Sequence, residues 1–143
     1  MSAIQISVFL ENKSGRLAEV THALAKAGVN IRALSLAETI DYGVLRLIVD
    51  KPQEAKVALA EAGFTVTETE VVAAEMPDRP GALAEIVDMV TARGLNIEYC
   101  YAFMAKRGDN AVVIFRIDDA AEAERALTDS GARLLTAVEI SSL

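Results

Sequence analysis

The sequence contains one short motif twice, as Asp78-Arg79-Pro80-Gly81-Ala82-Leu83 and as Asn12-Lys13-Ser14-Gly15-Arg16-Leu17. The two glycines are 66 positions apart (81 − 15), and the same offset places Gly28-Val29-Asn30-Ile31 on Gly94-Leu95-Asn96-Ile97. The chain is therefore an internal duplication. Each motif runs from a polar turn into an apolar helical pattern. Because the start of a helix carries free N–H groups and a partial positive charge, such a turn suits a small anion such as a carboxylate.

The composition is that of an ordinary globular protein. Of the 143 residues, 52% are hydrophobic and 24% are charged, which provides material for a core. The net charge of −7 argues against nucleic acid and membrane partners, since both attract basic patches. No apolar run reaches the roughly 20 residues of a membrane helix, and the N-terminus lacks a secretion signal. The single Cys100 cannot form an internal disulfide, and we expect a cytoplasmic protein.

Hydrophobic periodicity predicts the same order of elements in both copies: strand, helix, strand, strand, helix, strand. In the first copy, the pattern predicts strands over residues 4–10, 31–38 and 44–49, a helix from Leu17 to Gly28, and a helix that Asp50 caps and Gly63 ends. Tyr42 and Gly43 are expected in the connection before the third strand.

The second copy repeats this order with small shifts. Its predicted elements are helices ending at Gly94 and Gly131, strands over residues 97–105, 111–117 and 134–140, and a last helix capped by Asp118 or Asp119. A polar turn over residues 106–110 separates two of its strands.

The two copies meet without a linker. Residues 65–76 include neither Gly nor Pro, which predicts one long strand that ends the first unit, begins the second and stops at Pro77. The order of elements predicts an α+β protein with two ferredoxin-like βαββαβ units, each an antiparallel sheet with two helices on one face. We expect domains at residues 1–70 and 71–143.

With these duplicated motifs and this order of elements, the chain resembles a tandem ACT-domain protein. ACT domains are a family of small regulatory modules that bind amino acids. The resemblance rests on the loop motifs at residues 12–15 and 78–81 and on the strand entries at 28–31 and 94–97. It covers nearly the whole chain, because both motifs recur at matching spacing within the expected order of elements. It implies a non-catalytic regulatory protein whose free amino-acid ligand lies at the interface between ACT units.

The resemblance also implies roles for individual residues. Asn12 and Asp78 would meet the α-ammonium of the ligand, and backbone N–H groups near Gly15 and Gly81 would take its carboxylate. The implied ligand-binding residues are Asn12, Ser14, Gly15, Arg16, Leu17, Asn30 and Ile31 in the first copy, and Asp78, Pro80, Gly81, Ala82, Leu83, Asn96 and Ile97 in the second.

The resemblance leaves the identity of the ligand open. Ser14 stands where the family usually has Pro, and Asp78 where it usually has Asn, so the second loop carries a negative charge. That charge favours a ligand whose side chain is neutral or cationic. The candidates to line the side-chain pocket are Leu34, Ser35 and Leu36 in the first copy, and Tyr99, Cys100 and Tyr101 in the second.

A purely structural interpretation of the motif stays open. Asn12, Ser14 and Asp78 are common turn and cap residues, and a duplication would also copy a structural turn. Asn30 and Asn96 follow helix-ending glycines, where Asn is an ordinary loop residue.

Other polar residues are not expected to act as sites. His22 falls on the helix face opposite Leu17, Val20 and Leu24, so it is predicted to be at the surface. Cys100 is interpreted as a small packing residue, because no histidine is placed to activate it. We expect no metal and no cofactor.

The sequence favours a sensor whose ligand biases the packing of a homo-oligomer, with a dimer the simplest, or of a partner enzyme. The alternative is a regulatory subunit of an amino-acid biosynthetic enzyme, similar to the small subunit of acetohydroxyacid synthase. An acylphosphatase or a nucleoside diphosphate kinase on the same fold is opposed, because no general base accompanies Arg16 or Arg79. RNA binding is opposed by the acidic charge and by the few aromatic residues on the strands.

Overall fold

The structure, a computed structural model, describes residues 3–38 and 40–143. It divides into two compact units, a first unit built on Ile4–Thr69 and a second unit built on Glu70–Ser141. The elements in chain order are β1 (Ala3–Glu11), α1 (Arg16–Lys26), β2 (Ile31–Glu38), β3 (Tyr42–Val49), α2 (Pro52–Glu61), β4 (Thr65–Pro77), α3 (Ala82–Ala92), β5 (Ile97–Ala102), β6 (Asn110–Ile117), α4 (Ala120–Asp129), β7 (Arg133–Leu135) and α5 (Ala137–Ser141). The predicted α+β fold with two ferredoxin-like units is confirmed.

The first unit packs both of its helices on one face of its sheet. Strand β3 pairs antiparallel with β1 and with β2. Ile6 lies opposite Leu47 and Val8 lies opposite Leu45, and all four side chains are buried. The helices add Val20, Leu24, Ala55 and Leu59 to the same core. The alternating pattern of β1 is thus explained by a helical layer that covers every second side chain.

The second unit repeats this packing. Strand β6 pairs antiparallel with β4 and β5, and β7 pairs with β4. Phe115 on β6 is fully buried, in a core that includes Ile86 and Val90 of α3 and Leu127 of α4.

The predicted shared strand is confirmed. Strand β4 runs for 13 residues, from Thr65 to Pro77. Its residues up to Thr69 belong to the first unit, and those from Glu70 onward belong to the second. Among the described residues, no helix is long and apolar enough to cross a membrane.

The predicted final strand over residues 134–140 is wrong beyond Leu135. The chain forms the short helix α5 instead. Thr136 Oγ1 accepts a hydrogen bond from Glu139 N at 3.2 Å, and Glu139 Oε1 accepts one from Thr136 N at 3.2 Å. This reciprocal capping box satisfies two donors at the start of a helix, and the Thr-x-x-Glu spacing is its sequence signal.

The prediction that Asp50 caps α2 is also wrong. The residue before α2 is Lys51, and Pro52 occupies the start of the helix, where its missing N–H costs nothing. Asp50 Oδ1 instead accepts a hydrogen bond from Asn30 N at 2.8 Å. In the second copy, Asp118 Oδ1 accepts a hydrogen bond from Asn96 N at 3.3 Å. Asp119 caps α4, and its side chain accepts a hydrogen bond from Glu122 N.

Two strand boundaries differ from the prediction. Tyr42 and Gly43 lie inside β3, where Gly43 is opposite Leu10 of β1. A Cβ atom at Gly43 would approach the backbone O of Ala37 to 3.1 Å, so a larger residue here would require the neighbouring strand to shift by a few tenths of an ångström. Strand β5 ends at Ala102, before the predicted residue 105.

Candidate functional site

The first loop motif forms the turn into α1. Gly15, the residue before the helix, has φ of 91° and ψ of −15°, a left-handed conformation that glycine adopts without strain. Arg16 N donates to Lys13 O at 3.4 Å, and Glu19 N donates to Gly15 O at 3.0 Å. The turn is therefore held by its own backbone.

The start of α1 has no side-chain cap within the described part of the chain. In an α-helix the first four N–H groups lack an intrahelical acceptor. Arg16 N already donates within the turn, so the N–H groups of Leu17 and Ala18 are the donors that the helix start offers. The sequence predicts the donor at Leu17 but not the donor at Ala18. Hydrophobic periodicity does not define the first residue of the helix, and the free N–H groups are counted from that residue.

The space beside Gly15 is open. A Cβ atom built on this glycine meets no atom within 4 Å. A cavity of about 70 Å³ lies next to the turn, lined by Leu10, Glu11, Asn12, Lys13, Arg16, Leu17, Leu36, Glu38 and Gly43. This volume exceeds the roughly 10–15 Å³ that a cavity needs to hold one water-sized group, so a small polar group has room beside the turn.

The charges around this cavity balance. Two carboxylates, Glu11 and Glu38, and two cations, Lys13 and Arg16, line it. Arg16 binds both carboxylate oxygens of Glu19 at 2.9 and 3.0 Å, and Lys13 pairs with Glu11 at 3.1 Å. Lysine pairing holds the pKa of the exposed Glu11 carboxyl below its usual value. A lining with equal charges of both signs suits a zwitterion better than a net anion or cation.

The second loop has the same backbone geometry. Gly81 has φ of 88° and ψ of −15° before α3. Ala82 N donates to Arg79 O at 3.2 Å, and no described side chain caps α3, so the helix start offers the N–H groups of Leu83 and Ala84. The atom nearest to a Cβ built on Gly81 is Arg79 Nη1, at 3.9 Å.

The two loops differ in the partner of their first residue. Asn12 Nδ2 donates to Ile40 O at 3.3 Å. Asp78, at the matching position, forms an ion pair with Lys106 Nζ. Both contacts come from the hairpin that follows the second strand of the unit, but one offers a carbonyl and the other a cation.

The predicted strand-entry residues lie away from the loop of their own unit. Because β3 runs antiparallel to β1 and to β2, the end of β2 at Glu38 lies beside the first loop, whereas Asn30 and Ile31 precede or begin β2 at the opposite end. About eight residues at 3.3 Å each separate the two ends. Ile31 packs against the core. Asn30, Ile31, Asn96 and Ile97 as ligand contacts stay predictions, as do Ser14 and Pro80.

The residues predicted to line the side-chain pocket lie on different faces of their sheets. In the first unit, Leu36 pairs with the core residue Leu45 and lines the cavity, while Ser35 pairs with Arg46. In the second, Tyr99 and Tyr101 stack at 6.5 Å between ring centroids. They pair with Arg116 and Ile114, which alternate with core residues of β6. The tyrosines therefore lie on the face away from the helices.

The structure places both His22 and Cys100 at the surface. His22 is exposed on α1, as predicted. Cys100 is exposed as well, so its interpretation as a packing residue is wrong: β5 is the last strand in the sheet order, and little covers a residue on an edge strand.

Known proteins share this architecture. A family profile described as "ACT domain pair" matches residues 1–140. A solved structure of a protein from Bacteroides thetaiotaomicron is 41% identical, with a TM-score of 0.93, and the match covers 100% of this chain and 98% of that one. A comparison with curated proteins gave no match.

More distant solved structures are similar in fold. The regulatory subunit of aspartate kinase from Thermus thermophilus is 23% identical, with a TM-score of 0.67, over 91% of this chain and 93% of that chain. The regulatory subunit of aspartate kinase from Thermus flavus is 22% identical, with a TM-score of 0.59, over 92% of this chain and 94% of that chain.

Proposed function

We propose, from the premise that this chain belongs to the ACT domain pair family, that it is a non-catalytic regulatory protein that binds a free amino acid at its first loop. The observation that carries the proposal is the open cavity beside Gly15, next to a helix start without a side-chain cap. Backbone donors at a helix start stabilise a carboxylate without any catalytic group.

The ligand's two charged groups have different partners in this proposal. Its carboxylate accepts hydrogen bonds from the N–H groups of Leu17 and Ala18. Its ammonium meets the side-chain oxygen of Asn12 and the carboxylate of Glu11, which both line the cavity. Leu10, Leu17 and Leu36 are the apolar part of the lining. We therefore favour an amino acid with a small, neutral side chain.

In this proposal, ligand binding regulates the protein because it is thermodynamically linked to the packing arrangement of the units. A ligand shifts an equilibrium between two arrangements only by its difference in affinity for them. Asn30, at the far end of the sheet from the first loop, contacts the same ligand only if it comes from another copy of the chain. A homodimer held together by ligand is therefore the arrangement we propose, with the domains at residues 1–70 and 71–143 as the packing units.

A regulatory subunit of an amino-acid biosynthetic enzyme is the second candidate. Two proteins of similar fold are named as regulatory subunits of aspartate kinase, and the small subunit of acetohydroxyacid synthase is another such precedent. Copurification of this chain with a larger biosynthetic enzyme supports this candidate, and a chain that responds to ligand without any partner opposes it. We expect a reducing compartment such as the cytoplasm, with which the exposed Cys100 is compatible.

Thermal unfolding in the presence of each of the twenty amino acids tests the proposal. A ligand at a hundred times its dissociation constant adds about 2.7 kcal/mol to the free energy of unfolding. For a chain of 143 residues we expect a rise in Tm of roughly 5 to 10 °C. The proposal fails if the Tm is unchanged by all twenty.

A further inference from the structure

One arginine connects the two helices of the second unit. Arg93, the residue after α3, contacts Glu122 Oε1 of α4 through Nη1 at 3.6 Å, and its Nη2 contacts Asp129 Oδ2. Glu122 and Asp129 are seven residues apart, which is about two helical turns, so they share one side of α4. The side chains of Arg93 and Glu122 are only 29% and 33% exposed. One guanidinium group therefore bridges two carboxylates of α4.

The first unit keeps the two carboxylates but lacks the arginine. Ala27, the residue after α1, stands where the second copy has Arg93 (93 − 66). The glycines that end the second helices are 68 positions apart (131 − 63), and this offset places Glu54 and Glu61 at the positions of the two acids (122 − 68 and 129 − 68). Within the part of the chain that the structure describes, neither glutamate forms an ion pair or a side-chain hydrogen bond.

The missing side chain leaves an open groove between α1 and α2, with a volume of about 440 Å³. Its lining combines short apolar side chains with the two carboxylates: Ala27, Gln53, Glu54, Val57, Ala58 and Glu61. Lys26 lines an adjoining stretch but forms no ion pair among the described residues. Apolar surface beside carboxylates suits an arginine, whose methylene stem packs on apolar groups while its head stays in a polar environment.

We infer that this helix groove of the first unit, defined by the six residues of its lining, is a docking site for an arginine side chain that a partner protein presents. The guanidinium pairs with Glu54 and Glu61, as Arg93 pairs with their equivalents in the second unit. Arginine is favoured over lysine because its planar group donates to two acceptors at once. The groove lies at the opposite end of α1 from the first loop, so the inference does not depend on the proposed amino-acid site.

The two charges are too weak to hold a free small cation. An exposed ion pair changes a binding constant by about 1.5- to 5-fold, so two pairs contribute at most about 25-fold. Even a millimolar complex requires about a thousandfold on the same scale. The remaining affinity has to come from surface around the arginine, which a protein partner supplies, and buried arginines are frequent anchors of protein interfaces.

Amide NMR of the full chain tests the inference, with an alanine-rich helical peptide that carries one central arginine as the probe. We expect the signals of Ala27, Val57 and Ala58 to shift and saturate. The matched probe carries citrulline, which has nearly the shape of arginine but no charge. Two ion pairs predict a dissociation constant about 2- to 25-fold lower for the arginine peptide than for the citrulline peptide.

Two reciprocal variants provide the controls. Ala27→Arg supplies the guanidinium from the chain itself, so the preference for arginine over citrulline should disappear. Arg93→Ala opens the groove of the second unit, so the signal of Ala126 should begin to respond to the arginine peptide. We expect that response to be weaker than in the first unit, because Arg125 still pairs with Glu122.

Equal binding of the two peptides, a preference for arginine that survives in Ala27→Arg, or no binding of either peptide would overturn the inference. Saturation of the Ala27 and Ala58 signals by free L-arginine at the same concentrations would also contradict it, since the occupant would then be a small molecule. None of these outcomes affects the proposed function, because the amides of Leu17 and Ala18 report the first loop separately.

Discussion

Gly15 and Gly81 adopt the same backbone conformation, with φ of 91° and 88° and the same ψ of −15°. The residues around them differ, since Ser-Gly-Arg in the first copy becomes Pro-Gly-Ala in the second. What the duplication has kept is therefore the turn that leaves a helix start without a cap.

Replacing Gly15 by Ala should destabilise the protein without a steric clash. The new Cβ atom enters open space, but a left-handed conformation costs an L-residue about 1–2 kcal/mol. Gly63 is a matched control, because its φ is also 91° and its Cβ position is also open. Denaturant unfolding should give similar losses for Gly15→Ala and Gly63→Ala.

Valine substitutions at Gly15 and Gly63 distinguish an effect on ligand binding from an effect on stability. Gly15→Val places a branched side chain where the ligand's carboxylate approaches, so amino-acid binding should be lost, whereas Gly63→Val should leave the dissociation constant unchanged. Isothermal titration on both variants checks this. If the two variants bind equally well, the site is not at the first loop.

Asp50→Ala should cost about 1 kcal/mol of stability. It removes the acceptor of the 2.8 Å hydrogen bond from Asn30 N, and hydrogen bonds of this kind contribute roughly this much. Asp118→Ala should cost less, because its bond to Asn96 N is longer, at 3.3 Å, and more exposed. Urea unfolding of the two variants ranks them, and the reverse order would contradict the role given to Asp50.

Acid should loosen the C-terminal helix α5 through Glu139. Its pKa is lowered from 4.5 to about 2, first by the hydrogen bond from Arg133, then by the backbone N–H of Thr136, with a further contribution from Arg107. Because the folded-state pKa is lowered, the stabilisation is complete above pH 4.5 and is lost as the pH falls from about 4.5 to about 2.

Glu139→Gln tests this effect. The free energy of unfolding should depend less steeply on pH in this window than in the wild type, as followed by urea unfolding at each pH. Glu54→Gln, an exposed change on α2, controls for the loss of one negative charge. Parallel pH profiles for wild type and Glu139→Gln would refute the assignment.

Leu36 should limit the size of the ligand's side chain. It lines the cavity and is 45% exposed, so Leu36→Ala should cost only about 1 kcal/mol of stability while enlarging the cavity. The ranking of the twenty amino acids in thermal unfolding should then move toward larger neutral side chains. Ala102→Leu, at the equivalent position of the second copy, should not alter the preference of the first loop. An unchanged ranking in Leu36→Ala would exclude Leu36 from the binding site.

The sequence predicted the parts of this fold that depend on local periodicity and on duplication. The glycine turns, the helix-ending glycine at Gly28 and the long strand β4 follow from patterns of a few residues. The final helix was missed although Thr136 and Glu139 carry its signal, because the apolar residues around them also fit a strand. Local patterns of this length do not separate the two structures.

The features of the candidate site that the sequence does not predict arise from long-range pairing. Register shifts in β2 between Ile31 and Ala33, and in β5 between Ile97 and Tyr99, move the following side chains to the other face of the sheet. Simple alternation from Ile97 would place Tyr99 and Tyr101 on the helical face, where Cys100 lies instead. The pairing of Asp78 with Lys106 depends on how a hairpin folds back, and spacing within the motif does not determine it.

The central claim is that main-chain donors at the start of α1 hold the carboxylate of a free amino acid. Amide NMR at saturation with an amino acid that raises the Tm tests it most directly. The account predicts that the amide protons of Leu17 and Ala18 shift downfield, while the amide of Asp50, at the opposite end of the sheet, does not move. Saturable binding that leaves Leu17 and Ala18 unshifted would contradict it.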